Sequence, residues 1–450
     1  MGYVIAHVGA FDFENFGDLL FTDVLETQLK KRIPIEEILY FAPKKCKMPN
    51  RNIEINSVIE LEETVKSRQI DAIIVGGGDL IHLHMFKTYM PHISQEWVQY
   101  EVLYMWVIPC IIAQKYKIPL LWNAPGVPLK FKEEEKKIVS YLLDSVDYIS
   151  VRDNESKNEL EKAFPSGVIH VVPDTVLCIR DLFPKEKLEE LFEKLQFPFS
   201  KKKYVFFQCK MPETDSNYEE CINALRKIKQ QTGWEILLQP IGYSVGDEDV
   251  LKEFERRISG EFLYSPRHYD QYEILALIAN AAMYIGTSLH GYITANSFGT
   301  KSIIVNICNY NKIVGFNELI DNRSSIVDTM DRIFEAFSKL ENTSEIIVQQ
   351  RIDEISLHFD KLAESIKCSR KVDKSNSKKL TDFIYETLSK IEQMDMQKKD
   401  IEEFCFQLKK QLEEEQEESK RYKEAYEDLL NSTSWKFTAP LRRISNIFKR

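Results

Sequence analysis

The residues best equipped for chemistry stand in short polar stretches, each directly after an apolar run. The richest is Gly286-Thr287-Ser288-Leu289-His290-Gly291. Ser288 can cap a helix starting there, and the open amides of such a helix end attract anions. His290 then falls in the first helical turn and faces a cleft. An imidazole there can act as general acid or base, or donate to a phosphate. A histidine packed between sheet and helix is the plainer alternative. Further on, Asn309-Tyr310-Asn311-Lys312 follows the next strand end, and Lys312 could bring a point charge to the same anion.

The first half of the chain offers its own set. In Asn15-Phe16-Gly17-Asp18, Gly17 allows a tight turn. Asp18 can cap the following helix, or join Asn15 in bonding the hydroxyls of a ligand. Gly76-Gly77-Gly78-Asp79 ends a buried strand, and consecutive glycines let the backbone approach a ligand or a neighbouring strand closely. With neither GxGxxG spacing nor a Walker lysine, this is not a dinucleotide or P-loop signature. His82 and His84 lack the partner pattern of a metal site and read as polar loop histidines. Arg152, in Ser150-Val151-Arg152-Asp153, can grip a carboxylate or phosphate with its planar fork, or pair with Asp153 or Asp174. Asp174, after Pro173, can cap a helix or orient another side chain.

Apolar runs at 3–8, 37–42, 71–78, 119–126, 147–152 and 168–174 alternate with amphipathic stretches at 18–31, 97–116, 133–143 and 154–164. That alternation marks βαβ units with strands buried on both faces. After a Lys/Glu-rich stretch over 185–203 the pattern restarts, with strands at 204–209, 234–242, 283–288 and 301–307. Helices are expected between them at 217–231, 248–259, 271–281 and 289–298. Two doubly wound halves in succession put ligands at the carboxyl ends of the strands, in a cleft between domains. A GT-B-like architecture, a periplasmic-binding-like one, or two plain Rossmann-like domains would each satisfy the pattern. The expected boundaries are 1–180 and 181–330 for the two α/β domains, then 331–395 for a helical segment packing back on them. A charged coiled-coil-like or solvated helix at 396–430 and a basic amphipathic tail at 431–450 complete the chain. The tail suits an anionic membrane surface, or docking on a protein.

Composition bounds the function. The 450 residues are 44% hydrophobic and carry a net charge of −10, a globular and acidic balance that argues against a nucleic-acid binder. Eight scattered cysteines without a CxxC pair fit free thiols in a reducing compartment. The N-terminus acquires Asp12, Glu14 and Asp18 too early for a secretory signal, and the apolar run 102–113 is too short to span a bilayer. A cytoplasmic protein is expected, peripheral on the inner membrane face if the tail binds lipid. A homodimer is compatible with the coiled-coil-like segment.

Taken in order, the NxGD, GGG, SVRD, PD and LHG motifs and the later YNK resemble the polysaccharide pyruvyl transferases over roughly residues 1–320. The resemblance implies a GT-B-like enzyme that moves pyruvate from phosphoenolpyruvate onto a sugar as a ketal, with Arg152, His290 and Lys312 as its active trio. It implies no metal or organic cofactor. The acceptor would be a sugar of a cell-surface polysaccharide or its lipid-linked precursor. The weaker likeness of SWKFTAPLRR to the tails of polysaccharide-assembly glycosyltransferases points to the same setting. One departure stands out: Ser288 occupies the place of a family arginine, and Arg267 in SPRHY is the expected substitute for its charge. A GT-B glycosyltransferase using a nucleotide sugar is the rival enzyme, and a non-catalytic assembly scaffold the rival of another class.

Overall fold

The computed structural model describes residues 2–49, 51–83, 104–210, 214–341 and 343–368. His84, the front of the 97–116 helix, and everything expected of 369–450, including the coiled-coil-like segment and basic tail, lie outside the described residues.

The N-terminal half runs β1 (Tyr3–Val8), α1 (Phe16–Lys30), β2 (Ile35–Ala42), β3 (Cys46–Lys47), β4 (Glu54–Ser57), α2 (Leu61–Ser67), β5 (Ala72–Gly76), α3 (Tyr104–Tyr116), β6 (Leu120–Asn123), α4 (Glu133–Leu143), β7 (Ile149–Val151), α5 (Asn154–Ala163) and β8 (Ile169–Val171). A 3-10 run, Thr175–Asp181, leads to the C-terminal half. That half runs α6 (Lys185–Lys194), β9 (Tyr204–Gln208), α7 (Asp215–Thr232), β10 (Glu235–Leu238), α8 (Asp247–Ile258), β11 (Leu263–Tyr264), α9 (Gln271–Asn280), β12 (Met283–Gly286), α10 (Leu289–Ser297), β13 (Lys301–Val305), α11 (Asn311–Ile320) and β14 (Ile326–Val327). Helices α12 (Ile333–Lys339) and α13 (Glu345–Cys368) follow.

The expected strands form; β1 keeps its span, β2 starts two residues earlier, and the others are trimmed at their ends. The sequence pattern missed the short edge ribbon of β3 and β4, whose polar residues carry no apolar run. It also missed α6, which forms inside the Lys/Glu-rich stretch because Leu188 and Phe192, one turn apart, are buried where it packs on α9.

The first sheet has the order β3-β4-β2-β1-β5-β6, and a bridge from Leu121 to Tyr148 carries it on to the parallel pair β7-β8. The second has the order β11-β10-β9-β12-β13-β14, parallel throughout. Each sheet reverses its winding beside its own first strand, between β1 and β5 and between β9 and β12. Those reversals open a crevice at the strand ends. Because the strands are covered on both faces, β5 and β9 are buried along their whole length.

Helix α1 explains how the halves hold together. It buries Phe16, Leu19, Leu20, Phe21, Val24 and Leu25, more than one face could account for. It is covered from several sides, by the 175–181 run, α9, α10 and α13. One apolar core therefore runs through both halves, from Ile5 and Ile74 to Leu277 and Tyr284. Helix α13 returns to the first half, where buried His358 lies 3.0 Å from both Asn123 Oδ1 and the Tyr148 hydroxyl. Among the described residues no helix is long and apolar enough to cross a membrane.

Candidate active site

The strand ends of both sheets open onto one cavity of about 450 Å³. From the first half it is lined by Asn15, Asp18, Gly78, Asp79 and Arg152, and from the second by Gln208, Lys210, Asp247, Ser288, His290 and Lys312.

In the first half, the glycine run turns the chain sharply after β5. Gly76, Gly77 and Gly78 have φ of +146°, +70° and +81°, which L side chains rarely adopt. A Cβ on Gly76 would also meet the Asn123 carbonyl 2.5 Å away, and one on Gly77 would strike the Phe21 ring. Gly76 and Gly77 thus shape the turn, while Gly78 and Asp79 reach the cavity. Asn15 precedes α1 and donates to Asp18 Oδ2 at 2.7 Å. Burial pushes the Asp18 carboxyl above the usual carboxylate range, against the opposing pull of His290, Asn15 and Lys312.

Asp79 joins the halves electrostatically. Its Oδ1 takes the Arg152 guanidinium, and its Oδ2 lies 2.9 Å from Lys312 Nζ, which comes from α11 of the second half. Arg152 Nε lies 3.6 Å from Asp153, whose other oxygen caps α5 through the Ser156 amide. Of the two partners expected for Arg152, Asp153 is the one it meets, and Asp79 was not foreseen. The guanidinium lies flat against Gly126, where a Cβ would come within 2.7 Å of it.

Asp174 meets His290 instead. His290 Nε2 stands 3.6 Å from Asp174 Oδ2, and neither atom has a hydrogen-bond partner among the described residues. Asp174 is almost fully buried, and its other oxygen caps the 175–181 run. The imidazole meets Phe21 edge-on, with ring centroids 5.4 Å apart. It also covers Gly17 so closely that a Cβ there would fall on the ring. Gly17 therefore makes room for the histidine.

At the turn into α10 several amides already have side-chain partners. Gln208 Oε1 accepts from the amides of Thr287 and Ser288, at 3.1 and 3.0 Å, and the Ser288 hydroxyl faces the Gly291 amide. Gln208 Nε2 donates in turn to Asp247 Oδ2 at 2.8 Å. The same Asp247 oxygen accepts from Gly242 N at 3.0 Å and Ile241 N at 3.3 Å. Burial raises the Asp247 carboxyl to about 6, while these donors and Lys210 pull it down. Gly242 bridges to Asn15, and Ile241 accepts from the Phe16 amide at 3.1 Å, so the network reaches α1 across the cleft. Sequence reading missed Gln208, Asp247 and Lys210. The local signal of Gln208 and Lys210 was a polar residue at or just after a buried strand, and that of Asp247 an acid at the start of α8. Burial lowers the Lys210 ammonium, which supplies a third cation to the cavity.

Arg267 is not brought to the cavity. It is half-exposed, pairs with Glu273 at 2.5 Å and lies over the Tyr269 ring. Glu273 belongs to the capping box of α9, so the local carboxylate captures the arginine. His82, expected as a loop histidine, is fully buried, and its carbonyl accepts from Trp106 Nε1 at 2.9 Å.

Solved structures of low sequence identity share this architecture. UDP-N-acetylglucosamine 2-epimerase from Rickettsia bellii aligns with a TM-score of 0.54 at 12% identity, over 82% of this chain and 97% of its own. A glycosyltransferase from Rickettsia africae gives 0.52 at 16% identity, over 83% and 100%. UDP-GlcNAc 2-epimerase from Methanocaldococcus jannaschii gives 0.52 at 15%, over 79% and 99%. Identities this low speak for the fold alone, which is GT-B-like. No curated protein matches the sequence. The family model for polysaccharide pyruvyl transferase matches residues 15–309, from the loop before α1 to the loop before α11. That span holds Asp79, Arg152, Asp174 and His290, with Lys312 just beyond it, and the chain belongs to the polysaccharide pyruvyl transferase family.

Proposed function

We propose that this transferase moves a pyruvyl group from phosphoenolpyruvate to two hydroxyls of a saccharide, forming a ketal. One meeting of groups carries the reading: two cations sharing Asp79 stand in the same cavity as a histidine facing a buried carboxylate. The donor presents a carboxylate and a phosphate. The planar fork of Arg152 suits the carboxylate, and the point charges of Lys312 and Lys210 suit the phosphate. Before the donor arrives, Asp79 balances Arg152 and Lys312 and holds them ready.

In the reaction the methylene carbon of the enol takes a proton. The central carbon bonds to two saccharide oxygens, and its bond to the phosphate oxygen breaks. One hydroxyl proton ends in the new methyl group and the other on the departing phosphate. His290, oriented by Asp174, carries the proton. Asp18, held towards its neutral form by burial, is the second group able to hold one. The acceptor is a sugar of a cell-surface polysaccharide or of its lipid-linked precursor. The basic 431–450 segment suits an anionic membrane surface where such a precursor would lie.

The test is a thermal-shift titration of the full chain with phosphoenolpyruvate and, separately, a panel of nucleotide sugars. Wild type, Lys312→Ala and His290→Ala are compared. Phosphoenolpyruvate at ~100 times its wild-type Kd should stabilise by about 2.7 kcal/mol, and the shift should fall to roughly 0.4–1.4 kcal/mol in Lys312→Ala. Stabilisation by a nucleotide sugar alone would overturn the donor assignment and favour glycosyl transfer.

A further inference from the structure

Most of the exposed large apolar side chains among the described residues, Val168 and Ile346 foremost, lie away from the cavity, but two line it. Tyr310 is 52% exposed and Leu129 38% exposed, and both line the cavity, one from each half. Val314, 40% exposed, sits one turn beyond Tyr310 on α11. Scattered apolar exposure needs no explanation; an exposed aromatic ring lining a polar reaction cavity, with an exposed leucine on the other half, is a candidate contact for a ligand.

The ring of Tyr310 is carried by a rigid backbone. Its amide donates to Asn306 Oδ1 at 2.8 Å, its carbonyl accepts from Asn306 Nδ2 at 3.3 Å, and it is the N-cap residue of α11. The ring centroid lies 5.3 Å from Lys312 Nζ, the cation assigned above to the donor phosphate. On the other half, the Val127 amide donates to Ser156 Oγ at 2.9 Å, which fixes the segment leading through Pro128 to Leu129. Exposed Asn311 and Glu155 line the same cavity and offer hydrogen bonds around its rim.

We propose that Tyr310 is the stacking platform of the acceptor subsite, where a pyranose lies with its C–H face on the ring and Pro128 and Leu129 form the facing apolar wall. An aromatic face is negative and the C–H bonds of a sugar face are weakly positive, so the two attract, and both shed water on contact. Asn311 and Glu155 take hydroxyls at the edge of the sugar ring. A sugar seated there has its hydroxyls beside the group that receives the donor. The name of the second substrate rests on the pyruvyl-transfer reading. The subsite itself rests on where Tyr310 stands.

Saturation-transfer NMR on the full chain tests this, with methyl β-glycosides of glucose, galactose and N-acetylglucosamine as probes. Wild type, Tyr310→Ala, Tyr310→Phe and Leu129→Asp are compared, with phosphoenolpyruvate thermal shifts recorded in parallel. We expect transfer to the sugar-ring protons of at least one glycoside in wild type and in Tyr310→Phe. Affinity should weaken at least about fivefold in Tyr310→Ala, the equivalent of about 1 kcal/mol, and should also fall in Leu129→Asp. Transfer that persists undiminished in Tyr310→Ala overturns the platform, as does its absence from wild type with all three glycosides. A Tyr310-dependent sugar signal in a protein that phosphoenolpyruvate does not stabilise upholds the subsite and removes the donor reading alone.

Discussion

The two halves share a winding order, yet bring opposite charges to the cavity. The first half lines it with Asp18, Asp79, Asp153 and Glu155 beside the single cation Arg152, and sets Asp174 against His290. The second half brings His290, Lys210 and Lys312, with Asp247 as its acid. Among the described residues, Asp79 meets Lys312, Asp174 faces His290 and, away from the cavity, Glu14 meets His268, so each of these contacts joins an acid of the first half to a base of the second. A C-terminal base is therefore set by an N-terminal acid, and neither half alone holds a finished site.

Breaking that pairing at the histidine should have the largest effect. His290→Ala is expected to lower turnover about 10²–10⁴-fold while phosphoenolpyruvate still stabilises the protein, as steady-state rates and thermal shifts would record. Equal loss of donor binding would mean that the histidine serves affinity instead.

Gly17→Ala attacks the same contact from the first half. The added methyl falls on the His290 ring, so it should cost about 1–3 kcal/mol in a denaturant titration and depress turnover as His290→Ala does. A stable variant with normal turnover would show that the ring can move aside without harm.

Lys312→Ala should weaken phosphoenolpyruvate about 10–100-fold by calorimetry, the range of a lost charge-assisted contact. Asp79 remains paired with Arg152 in that variant, so a larger loss would point to collapse of the three-group cluster.

The smallest effect contrasts two buried acids. Burial raises Asp12 to about 7 and Asp247 to about 6. Asp12 Oδ1 has no hydrogen-bond partner among the described residues, whereas Asp247 holds Gln208 and two amides. A folded-state pKa above the unfolded value of about 4 means that the folded protein binds more protons in the interval between them. Stability from Asp12 is thus full below that interval and falls as pH rises through it. Asp12→Asn should raise the melting temperature above wild type at pH 8 by a few degrees, with the gain fading towards pH 4. Asp247→Asn should lower it at both pH values. A pH-independent Asp12→Asn would place the Asp12 titration in the normal range.

What the sequence disclosed follows from locality. Buried parallel strands read as apolar runs, and the residues just after them reach the cavity because of where strand ends stand in a doubly wound sheet. Asn15, Asp18, Asp79, Arg152, Ser288, His290 and Lys312 were all legible in that way. Gln208 and Asp247 were not, because they meet 39 residues apart through turns that no spacing rule encodes. Arg267 misled for the converse reason. A cation just before a helix looks available from its neighbours' types, but Glu273 on that helix takes it first.

The continuous core around α1 bears on folding as much as on geometry. Residues from both sheets share one apolar cluster, and α1 is buried from several directions by elements far apart in the chain. Neither half can shed its partner without exposing Phe16, Leu20 and Leu25 to water. The described region is therefore expected to melt in one calorimetric transition, and two separated transitions in a calorimetric scan would show that the shared core does not couple the halves. The active constellation survives or disappears together with the whole fold.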